Sequence, residues 1–377
     1  MQYTLHLTNA CNLSCDYCGQ KKSHEFMGKR TAFQAIDLAL CSAETSIGIG
    51  FYGGEPLLCK NLIYEIVRYA KGKKNNGQNI FFKLTTNGLL LDDEFLRYAK
   101  RESILISLSL DGNKQTHDTN RKDCAGRGTY DNLLPVIPKL LAQNRYIAVM
   151  MTVAPNTVSY FCDSVKSIYS LGFMNIICAI DYSAEWNENH LAELKKQYKK
   201  MAEFYCESMA AEKKFFLSPF ESKINSHIHH KEYCGERCKL GFEQISVAAD
   251  GTLYPCVQFV GDSDYQIGNV ANGIDQEKRK RIYDLSRKEQ PECKKCSVKD
   301  RCLHTCSCIN KYSTGILNEP SPVLCAHERI LIPIADNIAA RLYKKRNGMF
   351  IHKHYNEFYP LVSLVEDSEN FNKIGVN

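Results

Sequence analysis

The sequence predicts an α/β fold, a partial (β/α)6 barrel followed by a second, cysteine-rich domain built around metal. Three observations carry this. Over the first two hundred or so residues, short β-branched or apolar runs alternate with longer amphipathic segments, the pattern of a parallel sheet with crossover helices. After about residue 214 the alternation stops, and glycine, proline and cysteine punctuate the chain instead. Finally, 18 cysteines in 377 residues, with no signal peptide ahead of them, read as thiolate ligands in a reducing cytoplasm rather than as disulfides.

Strands are expected near 3–8 (YTLHLT), 47–51 (IGIGF), 80–84 (IFFKL), 104–110 (ILISLSL), 146–152 (YIAVMMT) and 174–181 (MNIICAID), each a short apolar or β-branched run. Amphipathic helices are expected between and after them, near 31–42, 57–71, 92–101, 129–143 and 157–170, with a long one near 188–213. Six repeats suit a partial barrel better than a closed eight-fold one. Short strand-like pieces follow near 244–248 and 252–255, then a helix near 326–345 and a polar tail. The expected division is a barrel over 1–213, a metal-organised domain over 214–330, and a terminal helix and tail over 331–377.

Composition excludes other classes. With 44% hydrophobic residues the chain buries a large core, yet no apolar run approaches the ~18 residues that span a bilayer. The net charge of +6 is spread along the chain. Its short basic clusters, KGKK at 71–74 and EKRKR at 277–281, read as solvated helix ends, so neither a nucleic-acid nor a membrane partner is expected.

The distinctive residues gather where such sheets bind ligands, at the carboxyl ends of the strands. Cys11, Cys15 and Cys18, in LTNACNLSCDYCGQ, follow the first strand, and Gly53-Gly54-Glu55-Pro56 follows the second. Thr86-Asn87-Gly88 follows the third and Asp111-Gly112 the fourth. Turn chemistry alone does not explain that common placement. Three thiolates hold three corners of a 4Fe–4S cube and leave the fourth iron open to a ligand that is not protein. A zinc site completed by His6 or His24 is the alternative.

Tyr17 lies between Cys15 and Cys18, and the C-x3-C-x-(aromatic)-C run resembles the hallmark of the radical SAM superfamily. The resemblance implies that the open iron chelates S-adenosylmethionine (SAM), whose reductive cleavage yields a 5′-deoxyadenosyl radical that abstracts hydrogen. Gly53, Gly54, Glu55 and Pro56 resemble the family's GGEP motif, in which glycines admit close backbone approach and Glu55 would accept from the methionine ammonium. Alone, these residues would be a turn with a solvated glutamate. Ser109 and Asp111, in SLSLDG, are expected near the methionine carboxylate and ribose, with Thr86 and Asn87 as weaker candidates. Arg121 either pairs with the SAM carboxylate or is a surface charge.

A second constellation lies downstream. Cys238, Gly251 and Cys256, then Cys293-x2-Cys296-x5-Cys302-x3-Cys306 and finally Cys325, resemble the SPASM extension of the same superfamily. The resemblance implies two auxiliary 4Fe–4S clusters and three clusters in all. Cluster I would use Cys234, Cys238, Cys256 and Cys306, with Cys308 as a competing thiol, and cluster II would use Cys293, Cys296, Cys302 and Cys325. Structural zinc is the alternative for this half. Cys41, Cys59, Cys124, Cys162, Cys178 and Cys206 are left without a cluster, most of them ordinary buried thiols.

Proteins of this layout modify peptides or proteins, with a flavodoxin- or ferredoxin-type reductant as electron source. One branch oxidises a cysteine or serine of a sulfatase to formylglycine, and others crosslink ribosomally made peptides through thioether or carbon–carbon bonds. The sulfatase branch carries an aspartate directly after the cysteine of G-x4-C, acting as a base. That position is Val257, which accepts no proton. Crosslinking is therefore the first expectation and formylglycine formation the second. The chain starts almost at its first strand, so a precursor peptide would be held by the barrel loops, the second domain or a separate leader-binding protein. An iron–sulfur electron-transfer or scaffold protein that does not cleave SAM is the alternative of another class.

Overall fold

The computed structural model describes residues 1–144, 146–229, 238–359 and 361–363. Its six expected strands form, as β1 (Gln2–Thr8), β2 (Ser46–Gly53), β3 (Asn79–Thr86), β4 (Ile104–Ser109), β5 (Ala148–Val153) and β6 (Asn175–Ile180). They lie parallel and in chain order, each paired with the next. Leu5 and Leu7 of β1 are fully buried, as are Ile47 and Leu84 on the neighbouring strands. The other face of β1 carries Gln2 and Thr4 against glycines of β2, where a Cβ on Gly48 would lie 2.0 Å from the Gln2 Oε1 atom. Gly48 and Gly50 thus make room for the Gln2 and Thr4 side chains.

The crossover helices are set by local signals. Asp92 caps Asp93–Glu102 by accepting from the Phe95 N–H at 2.8 Å, and Asn187 caps Glu188–Ala210 by accepting from His190 at 2.9 Å. The helix expected over 129–143 is two pieces, Tyr130–Leu133 and Ile137–Gln143. Pro135 brings no N–H to the ladder, and Pro138 sits in the first turn of the second piece. An unexpected helix, Lys114–Asn120, follows β4, its N-cap Asn113 accepting from the Thr116 N–H at 3.0 Å.

The sheet runs through the expected boundary at residue 213. Beside β6, β7 (Phe216–Leu217) adds a short parallel strand. On the far side of β1, β8 (Gln244–Val247) pairs in parallel and β9 (Leu253–Tyr254) turns back antiparallel, completing a nine-stranded sheet. Ile245, Val247 and Leu253 are fully buried in the same apolar core as β1. The second half thus shares an apolar core with the first.

The terminal helix begins earlier than expected, at Pro322, with Ser321 as its cap, and runs to Lys344. It packs on Ser218–His229 and on Glu188–Ala210. A buried ion pair, Lys223 Nζ to Glu328 at 2.6 Å, joins the first two of these helices. Among the described residues no helix is long and apolar enough to cross a membrane.

Candidate active site

The cysteine run and the GGEP segment are one backbone assembly. Past the end of β1, the Gly54 N–H donates to the Thr8 carbonyl at 2.8 Å and the Glu55 N–H to the Ala10 carbonyl at 2.9 Å. A Cβ on Gly53, where φ is +125°, would lie 2.3 Å from the Thr8 oxygen, and one on Gly54 2.1 Å from the Ala10 oxygen. Only glycine permits this approach. Pro56 opens the short turn that follows and is buried.

Glu55 is fully buried. Its carboxylate accepts from the Leu57 N–H at 3.0 Å, the Thr86 hydroxyl at 2.7 Å and the Asn87 N–H at 2.8 Å. Burial raises its pKa, and the same three hydrogen bonds oppose the rise. A carboxylate has about four acceptor sites, so about one is left for a ligand amine. Asn87 in turn donates from its side chain to Asn12 at 2.8 Å, beside Cys11. Glu55 thereby ties the loops after β1, β2 and β3 together.

Asp111 and Arg121 find each other. Arg121 Nε donates to one Asp111 oxygen at 2.9 Å and Nη2 to the other at 3.1 Å. The Thr152 N–H at 2.9 Å and the Tyr17 hydroxyl also donate to this carboxylate. The Arg121 guanidinium lies 5.4 Å from the Tyr17 ring centroid. Arg121 is 8% exposed, so it is not the surface charge considered from sequence. Burial, the largest single influence, disfavours its charge, but Asp111, Tyr17 and Cys15 together outweigh it and raise its pKa. Tyr17, inside the cysteine run, is held by this pair, while Ser109 is half-buried with no hydrogen-bond partner for its hydroxyl among the described residues.

Two of these supports come from a segment sequence reasoning passed over. The Ser14 N–H donates to the Lys122 carbonyl at 2.6 Å and the Asp16 N–H to the Asn120 carbonyl at 2.9 Å, so the cysteine loop is pinned to the end of the Lys114–Asn120 helix. His117, on that helix, accepts from the Asp111 N–H at 3.4 Å and faces the Thr129 hydroxyl at 3.1 Å. Burial lowers its pKa to about 4. The HDTNR run that holds Arg121 was the available signal.

The thiols suit the expected groups. Cys11 and Cys15 are half-buried and Cys18 is exposed. Burial raises the Cys11 pKa and pushes Cys15 up to about 11, so both need a cation to become thiolates. Among the described residues no three Cys, His, Asp or Glu side chains converge on a single ion, the arrangement mononuclear zinc requires. Cys293, Cys296, Cys302 and Cys325 line one small cavity.

Cys256, Cys306 and Cys308 are gathered together. The Cys308 Sγ lies 3.2 Å from that of Cys256 and 3.9 Å from that of Cys306, and Gln244 reaches the Cys238 sulfur at 3.9 Å. Cys234 lies outside the described residues. A Cβ on Gly19 would lie 3.0 Å from the Tyr312 ring, so the second domain leans on the first cysteine loop. Of the thiols left over, Cys162 and Cys206 are buried, whereas Cys41 and Cys124 are exposed.

Residues 5–168 match the Radical SAM superfamily and residues 238–297 match the SPASM iron–sulfur cluster-binding domain. The cysteine-type anaerobic sulfatase-maturating enzyme of Clostridium perfringens is 26% identical over 327 residues, covering 79% of this chain and 86% of that one. A serine-type anaerobic sulfatase-maturating enzyme of Klebsiella aerogenes is 24% identical over 328 residues, covering 79% and 77%. In fold, the chain is similar to anSMEcpe with bound AdoMet, with a TM-score of 0.80 at 22% identity over 92% of this chain and all of that one. It is also similar to Streptococcus suis SuiB bound to the precursor peptide SuiA, with a TM-score of 0.62 at 13% identity over 86% and 75%.

Proposed function

The chain belongs to the radical SAM superfamily, with a SPASM extension, and on that premise we propose that it oxidises a cysteine side chain of a sulfatase polypeptide to formylglycine. The observation that carries the reading is similarity to cysteine-type sulfatase-maturating enzymes across both halves of the chain, 79% of its length. Crosslinking, the first expectation from sequence, becomes the second reading. Val257, where that branch has its base, is what still favours it.

When bound, SAM and its cluster supply a radical able to take a hydrogen atom from the substrate. The chain's own residues hold and shape the site. Cys11, Cys15 and Cys18 would hold the first cluster, and Gly53 and Gly54 bring bare backbone up to the loop that carries them. Glu55 offers its remaining acceptor site to an ammonium, and the free Ser109 hydroxyl offers a contact at the end of β4. Arg121, its charge fixed by Asp111, backs Cys15 and the Tyr17 ring. Cys293, Cys296, Cys302 and Cys325 would hold one auxiliary cluster, and Cys238, Cys256 and Cys306, with Cys234, the other. Loss of two electrons and two protons, one of each as the abstracted hydrogen atom and the second electron to an iron–sulfur acceptor the chain would hold, takes the cysteine to a thioaldehyde. Its sulfur then leaves as hydrogen sulfide while water supplies the aldehyde oxygen. The second proton leaves to a group other than Val257.

The test uses a sulfatase peptide whose cysteine carries deuterium on Cβ, given to the anaerobically reconstituted, reduced chain with SAM. Deuterium in 5′-deoxyadenosine together with a hydrazide-reactive peptide aldehyde is the expected result. A peptide that loses two hydrogens but keeps its Cβ deuterium and forms no aldehyde would establish crosslinking instead.

A further inference from the structure

Two buried polar groups of the barrel strands have nothing to bond. Both ring nitrogens of His6, on β1, and the Oδ1 atom of Asn175, on β6, are shut off from solvent without a hydrogen-bond partner among the described residues. They share one face of the sheet. Side chains alternate along each strand, and Leu5 and Ile176, the neighbours of His6 and Asn175, are fully buried in the helix-covered core. His6 and Asn175 therefore turn to the opposite, inner face.

Strand register puts them at one level. His6 pairs with Tyr52, Thr85 with Ser107, Ser107 with Ala148, and Ala148 with Asn175. Between these, β2 and β3 stay in step through Phe51 and Leu84, the residues just before Tyr52 and Thr85. A single band thus crosses six strands, about 24 Å of sheet at about 4.8 Å per strand spacing. It begins on β1, whose end leads into the first cysteine loop, and finishes at Asn175, the first residue of β6.

Orphaned buried polar groups are rare because each carries its desolvation cost uncompensated, so two at one level point to a ligand that completes them. Burial lowers the His6 pKa to about 4, which leaves a neutral ring with one N–H and one lone pair near pH 7. Asn175 is uncharged as well. The band therefore matches main-chain amides, which bring a donor and an acceptor each, better than a carboxylate or phosphate. About seven extended residues, at about 3.4 Å each, have its length. Resting on the peptide-substrate reading above, we propose that the band from His6 to Asn175 holds an extended stretch of the substrate peptide by its main chain, with the reacting residue at the His6 end. Tyr52, half-buried and edge-on to the His6 ring at 5.2 Å between centroids, is the side chain that turns aside to admit it.

The experiment measures binding by fluorescence anisotropy, using the reconstituted full-length chain with SAM near pH 7 and labelled sulfatase peptides. One peptide is short and centred on its cysteine, and two are lengthened by about seven residues, one toward each end. One long peptide should bind more tightly than the short one. His6→Leu should weaken all three about tenfold, the loss of two neutral hydrogen bonds. Asn175→Ala, at the far end of the band, should weaken only the favoured long peptide. His6→Leu should also raise the Tm of the peptide-free chain, because it removes an unsatisfied buried group. Unchanged affinities in both variants would overturn the proposal, the orphaned groups then carrying ordered water only. Equal weakening of short and long peptides by Asn175→Ala would overturn it too. Should His6→Leu not fold, the Asn175→Ala comparison decides alone. A parent that cleaves SAM but binds none of the peptides would overturn the sulfatase reading first, and this proposal with it.

Discussion

Asp111 and Arg121 decide how the first site is held. The guanidinium binds both carboxylate oxygens in a fork geometry that lysine could not copy, and both side chains are buried. Asp111→Ala should therefore destabilise the chain by about 3–5 kcal/mol, since it strands a buried charge. Asp111→Leu combined with Arg121→Met should cost much less. Guanidinium denaturation of the reconstituted variants reads this directly. A loss under about 1 kcal/mol for Asp111→Ala would mean the pair behaves like a surface ion pair. The sequence flagged both residues as candidates but not their partnership. They are ten positions apart, and the polar KQTHDTN segment that brings them together has no apolar stripe to announce a helix.

At the level of elements, the GGEP loop was legible as a motif and its mechanical role was not. The glycines were read as room for a ligand. The structure shows that the room is first taken by the chain itself, with the carbonyls of Thr8 and Ala10 where side chains would be. Gly54→Ala should push the loop after β2 off the cysteine loop. The expected outcome is loss of about four of about twelve iron atoms, with the auxiliary clusters retained. Retention of the full iron content and of SAM cleavage would show that the close contact is dispensable.

The six parallel strands were legible because each carries its own apolar run. The pairing of β8 with β1 was not: the strand itself was expected near 244–248, but nothing local joins two segments some 240 positions apart. Likewise Pro135 and Pro138 split a helix that amphipathic spacing alone had run through.

On the scale of the whole molecule, one sheet serves both halves. A chain cut after residue 213 would lose β8 from the edge of β1 and the Pro322–Lys344 helix from Glu188–Ala210. Such a fragment should aggregate rather than purify as a monomer, by size-exclusion chromatography. A soluble, iron-binding fragment would contradict the shared core.

The core also shelters histidines. Burial lowers the pKa of His6, His117 and His354 to about 4 and that of His327 to about 3. Because the unfolded residues titrate near 6.5, the unfolded state binds these protons first as pH falls. Their stabilisation is complete above about pH 6.5 and is lost progressively toward pH 4, by on the order of 3 kcal/mol for each group. His327, bonded through its two ring nitrogens to Tyr182 and Tyr198 at 2.7 Å each, offers the cleanest check. His327→Gln should flatten the stability profile between pH 4 and 6.5, and an unchanged slope would remove His327 from the account.

The central claim is that this layout makes a radical on SAM and spends it on a peptide cysteine. It is tested most directly by giving the anaerobically reconstituted, reduced chain SAM and a cysteine-bearing sulfatase peptide, and following 5′-deoxyadenosine and aldehyde together. The account predicts that both accumulate in equal amounts and that a Cys15→Ala variant makes neither. Absence of 5′-deoxyadenosine from a fully iron-loaded chain, with or without peptide, would contradict it.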